Sequence, residues 1–165
     1  MNPPQSSSAA PHRGQLVRDY TLQRPDGSRF MLSDFRNKLN LVLIVVPHPN
    51  DATAQFLHDL AGKSDELREN ETRVIVVLHS EQLRQVEVPP ELIAAVEPTG
   101  GCFPEVAAES HMSVYFLDKF REIFHVYHIG ANQALPSADD VLGWIRFIAM
   151  QCPECHPPEW PADAL

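Results

Sequence analysis

The order of apolar runs and turn signals predicts an α/β chain with a central mixed sheet, an amino-terminal β-hairpin and an irregular carboxyl-terminal tail. Three observations carry that prediction. Residues 41–46 and 74–78 are apolar without polar alternation, the pattern of strands buried on both faces. The segment between them spaces its apolar residues as a helix does, which makes a parallel crossover unit. Two later strands joined by a short turn, then an amphipathic helix, add antiparallel edges.

Taken in order, residues 1–13 are rich in Pro and Ser without periodicity and read as a flexible tail. Strands at 20–22 and 29–32 flank the turn signal Pro25-Asp26-Gly27. After the strand at 41–46, Asn50 or Asp51 can cap a helix, since either side chain accepts the free amides of a first turn. That helix places Phe56, Leu57, Leu60 and Leu67 inward and leaves His58, Asp59, Lys63 and Glu66 for solvent. Residues 80–86 read as a short helix that Val88-Pro89-Pro90 ends, and residues 91–96 fit either helix or strand. Gly100, Gly101 and Pro104 bound a loop around Cys102. A hairpin follows, with strands at 114–117 and 122–129 joined through Asp118-Lys119-Phe120. Ser137-Ala138-Asp139-Asp140 opens the last helix as a capping box, with Val141, Leu142, Ile145 and Ile148 as its buried stripe. From Cys152 onward, prolines at 153, 157, 158 and 161 forbid regular structure. The domain boundaries expected are therefore a tail at 1–13, one domain at 14–150 and a Cys/Pro-rich tail at 151–165.

Composition narrows the function classes. The chain of 165 residues favours one domain with a sizeable core. Its formal net charge of -9, from 13 Lys+Arg against 22 Asp+Glu, would repel a phosphate backbone, so nucleic acid is not an expected partner. The longest apolar run, 41–46, is too short to span a bilayer, and residues 1–10 carry no secretory pattern. The expectation is a cytoplasmic protein with no membrane contact, in which three cysteines act as free thiols, metal ligands or a catalytic pair.

The order of elements is that of a thioredoxin-like sandwich, and particular residues narrow the likeness. Asp19-Tyr20-Thr21-Leu22, Asp26-Gly27, Leu32-Ser33-Asp34-Phe35-Arg36 and the strand at 41–46 resemble the opening of peroxiredoxins and related redoxins. Val114-Tyr115-Phe116-Leu117-Asp118 resembles their late strand, so the resemblance spans residues 14–150. It implies a peroxidatic cysteine at the start of the helix after the buried strand, preceded by proline and threonine. Aligning on Pro47 puts Asp51 at the threonine and Ala54 at the cysteine; aligning on Pro49 recovers Thr53 but puts Phe56 at the cysteine. The family arginine, or a thioredoxin-type proline, would fall near Met112 and Ser113, and neither is there. Peroxide reduction needs a thiolate to attack oxygen, so conventional peroxidase activity is not expected.

The remaining chemical signal is Cys152-Pro153-Glu154-Cys155. As a dithiol, Cys152 and Cys155 would be nucleophile and resolving thiol, in either order. Their place after a helix carboxyl end, beside Glu154, disfavours a thiolate. As a metal knuckle the pair would need Cys102 and a histidine, or a second subunit, to complete four ligands. With His156 the string also fits a haem-attachment pattern, and the plainest reading is a reduced pair in a tail anchored by Trp160. His48 lies in the loop where the family places its active site; His111 and Cys102 flank the irregular middle. His125 and His128, three apart on a strand, face opposite sides, whereas His125 and Tyr127 share one. The sequence therefore reads as a peroxiredoxin-like binding or regulatory module without cofactor. Its partner would be another protein, or a second copy as homodimer, with a Cys152/Cys155 oxidoreductase and a zinc-stabilised structural protein as alternatives.

Overall fold

The structure, a computed structural model, describes residues 12–97 and 111–151. β1 (Thr21–Gln23) and β2 (Arg29–Met31) form the expected hairpin. Asp26 accepts the Ser28 amide at 2.8 Å, and Gly27 turns the chain at φ +88°, where a Cβ would be strained. A 3-10 turn, Leu32–Phe35, leads to β3 (Asn40–Val46).

The crossover that follows is α1 (Asp51–Ala61), α2 (Ser64–Glu69) and β4 (Thr72–Leu78), with β4 parallel to β3 from Asn40 opposite Thr72 to Val46 opposite Leu78. One continuous helix was the expectation here; the structure divides it. Gly62 closes α1 by donating to the His58 carbonyl at 3.0 Å, and Lys63 opens α2. Lys63 Nζ is held at this break by Asp139 at 3.1 Å and Glu66 at 3.5 Å. Leu60 and Leu67 still reach the same core, which is why their spacing mimics a single helix.

Residues 80–86 prove to be a 3-10 turn, Ser80–Arg84, and the ambiguous segment after the prolines is a strand, β5 (Ile93–Val96), parallel to β4. β6 (Met112–Leu117) and β7 (Ile123–Ile129) form the late hairpin, and α3 (Ala138–Ala149) closes the domain. Ser137 caps α3 as expected, its hydroxyl accepting the Asp140 amide at 3.1 Å while Asp140 accepts the Ser137 amide at 3.0 Å. The seven strands run β2-β1-β5-β4-β3-β6-β7.

Alternating side chains build two cores from one sheet. Val42, Ile44, Val46, Val74, Val76, Val114 and Phe116 face the helices, meeting Phe56, Leu57, Leu60, Leu142 and Ile145. Leu41, Leu43, Ile75, Val77, Tyr115 and Leu117 face the other way, covered by Val17, Leu22, Phe30 and Leu32. The first core is a helix layer, the second a lid of hairpin and chain start. No helix among the described residues is long and apolar enough to cross a membrane.

The β6–β7 turn ties that lid down. Asp118 Oδ1 accepts the amides of Phe120 at 2.8 Å and Glu122 at 2.9 Å, while burial pushes its carboxyl up to about 6. Arg121 has φ +70° and is only 1% exposed; its Nη1 lies 3.4 Å from Asp19 Oδ1, which also accepts the Ser33 amide at 2.9 Å. One carboxylate thus joins the chain start, the 3-10 turn and the late hairpin. Asp19→Asn keeps the acceptor for Ser33 but takes the negative charge from a buried guanidinium. The expected loss is about 3 kcal/mol of unfolding free energy, read by urea denaturation; a change under half that size would deny the ion pair its role.

Candidate functional site

β3 and β4 end, and β6 begins, at one edge of the sheet. The crevice outside the carboxyl ends of parallel strands is where α/β folds place ligands. Here it is built from residues 47–53. The Pro47 carbonyl accepts from Gln82 Nε2, which pins the loop to the 3-10 turn after β4. Asn50 is the cap of α1: its Oδ1 accepts the Thr53 amide at 2.9 Å and the Thr53 hydroxyl at 3.0 Å. Thr53 is buried, so its hydroxyl is committed to the cap.

Neither register of the resemblance places a thiol here. Ala54 lies in the first turn of α1, half-buried, and Phe56 points into the helix-side core at 4% exposure. Met112 and Ser113 open β6 as buried residues. Cys152 and Cys155, the candidate redox pair, lie outside the described residues, as do Cys102, His156 and Trp160.

The edge instead pairs two histidines 63 positions apart. His48 is exposed in the loop after β3; His111 precedes β6, its amide donating to the Ile129 carbonyl at 2.8 Å. Their rings meet edge-on, with centroids 5.6 Å apart and planes at 62°. His111 Nδ1 is buried and has no hydrogen-bond partner among the described residues. The sequence offered each histidine separately, but their contact requires the register of β3 against β6. No group of three His, Cys, Asp or Glu residues that could hold a metal occurs among the described residues.

A second histidine environment lies on the helix-side face. His125 stacks on Trp144 at 3.9 Å and meets Tyr127 edge-on at 4.5 Å, while Trp144 Nε1 donates to the Tyr127 hydroxyl at 3.1 Å. His128 points to the opposite face, its Nδ1 hydrogen-bonded to Ser113 Oγ at 3.0 Å, as the strand period requires. Burial first, then repulsion from Arg13, holds the His125 imidazole below its ordinary value.

No protein-family model and no curated protein matches the sequence. Solved structures do match in fold. A 2-Cys peroxiredoxin from Plasmodium vivax is 13% identical with a TM-score of 0.66, covering 82% of this chain and 81% of that one. The peroxidoxin BcpB from Mycobacterium tuberculosis is 14% identical with a TM-score of 0.64, covering 83% of this chain and 99% of that one. The exposed lipoprotein thioredoxin of Streptococcus pneumoniae is 16% identical with a TM-score of 0.60, covering 78% of this chain and 98% of that one. The fold is thioredoxin-like, as the element order predicts.

A depressed imidazole value has a signed consequence. The unfolded chain binds a proton to His125 below about 6.5 while the folded one still resists. The stability held by neutral His125 is therefore complete above that pH and lost as pH falls through the lower native value. Urea denaturation from pH 7 to pH 5 should show the wild type losing stability relative to His125→Phe. Parallel curves for the two proteins would contradict the buried neutral imidazole.

Proposed function

We propose that this redoxin-like chain does not reduce peroxides and acts as a binding module, its partner meeting the end of the sheet that carries His48 and His111 and the edge strand β7 beside it. One observation supports this most: the first turn of α1 and the loop before it hold no sulfur, and Phe56, the alternative thiol position, is a core residue. A helix amino terminus lowers the pKa of a cysteine placed there, which is what makes such a thiolate attack oxygen at neutral pH. Alanine and phenylalanine offer no lone pair for that step. The cap also uses its own polar groups: Asn50 Oδ1 and the Thr53 hydroxyl bond each other, leaving neither to orient a peroxide.

The partner is a protein or a second copy of this chain. Of the two sheet edges, β2 has three residues, while β7 has seven, none of them Asp, Glu, Lys, Arg or Pro. Among the described residues, the segment before β1 pairs with β7 at its beginning, through Gly14 and Gln15 on Ile123. Long edges without charges are the ones available to another strand.

The test is a coupled assay with NADPH, a thioredoxin reductase, thioredoxin and hydrogen peroxide, with insulin reduction run beside it. The full-length protein is expected to leave both rates at the no-protein background. Turnover of peroxide would overturn the reading. Turnover of insulin that Cys152→Ser abolishes would replace it with the dithiol oxidoreductase.

A further inference from the structure

We propose that His48 and His111 together bind a borderline divalent transition-metal ion, of the zinc class, at the sheet edge, with water completing the coordination. The inference rests on reading this edge as a binding surface. Three observations converge on it. The first is separation: two imidazoles on one tetrahedral ion, each at a metal–nitrogen distance of about 2.0–2.1 Å, hold their centroids roughly 5 Å apart. The pair stands at 5.6 Å, close to that separation.

The second is the unpaired nitrogen. His111 Nδ1 is buried and no described residue bonds to it. A buried polar atom without a partner is costly, and an external ligand on its lone pair removes that cost. The third is position. His79 follows Leu78 at the end of β4, so three of the chain's eight histidines lie within two residues of the ends of the neighbouring strands β4, β3 and β6. That is the edge where parallel strands end, and where the fold leaves ligands access.

The donor set selects the class of ion. Two neutral imidazoles suit zinc, copper or nickel, whereas calcium and magnesium demand oxygen ligands. His48 is exposed, so the ion keeps water on its outer positions and stays open to a further ligand. A closed structural zinc site would instead need four protein donors. The backbone supports the geometry from both sides: Gln82 fixes Pro47 beside His48, and the amide of His111 is anchored on Ile129.

The test uses full-length protein with Cys102, Cys152 and Cys155 all changed to serine, so that thiolates cannot hold the probe. Zinc chloride is titrated by isothermal calorimetry, and the melting temperature is followed with and without excess zinc. One equivalent is expected to bind and to raise the melting temperature, since a ligand of the native state stabilises it. His48→Ala and His111→Ala should each weaken binding at least tenfold, and the double variant no further than the worse single. His58→Ala, on the solvent side of α1, should bind as the parent does. His48 is exposed, so its variant decides the matter even if His111→Ala fails to fold. The proposal is overturned if the cysteine-free protein binds no zinc, or if either histidine variant binds as tightly as the parent. Neither result bears on the peroxide assay, so the binding-module reading stands or falls separately.

Discussion

Everything in this molecule is referred to β3. It is the strand paired parallel to β4 on one side and antiparallel to β6 on the other, and all but one of its seven residues are buried. Each aliphatic side chain it buries contributes on the order of 1.5–3 kcal/mol, delivered alternately to two cores. Val42, Ile44 and Val46 hold the helix layer, while Leu41 and Leu43 hold the hairpin lid. A one-residue slip of this strand would exchange the two faces, so its register is tightly specified. That register fixes where Pro47, His48 and the first turn of α1 emerge, and which end of β6 stands beside them.

In a fold of this kind, the loop after the central strand is rigid because the strand beneath it is rigid, and a helix begins there with its free amides. The chain retains this scaffold in full: the cap at Asn50, the anchored carbonyl of Pro47, the adjoining start of β6. The first turn of α1 and the loop before it hold no sulfur, and the imidazoles of His48 and His111 meet beside them. Imidazole is a poor nucleophile toward peroxide but a good metal ligand and hydrogen-bonding group.

Local rules made most of the fold legible. Apolar runs located β3 and β4, the Asp26-Gly27 pair located the first hairpin, and Ser137 with Asp140 located the start of α3. Three features escaped, each for a tertiary reason. The break between α1 and α2 falls at Gly62 and Lys63 without disturbing the spacing of Leu60 and Leu67, so periodicity is blind to it. The burial of Arg121 depends on Asp19, about a hundred residues earlier, and nothing in the hairpin sequence announces that partner. His48 and His111 were visible singly, but only the pairing of β3 with β6 brings them into contact. The cysteines, the strongest chemical signal in the sequence, lie outside the described residues.

The proposal stands on the absence of a cysteine from the first turn of α1 and the loop before it. The most direct measurement is the rate at which fully reduced protein is oxidised by stoichiometric hydrogen peroxide, followed by quenched intact-mass spectrometry. All three thiols should react slowly, like free cysteine in the same buffer, and His48→Ala should leave the rates unchanged. A single thiol oxidised orders of magnitude faster than free cysteine, and slowed by His48→Ala, would place an activated cysteine at this edge and contradict the claim.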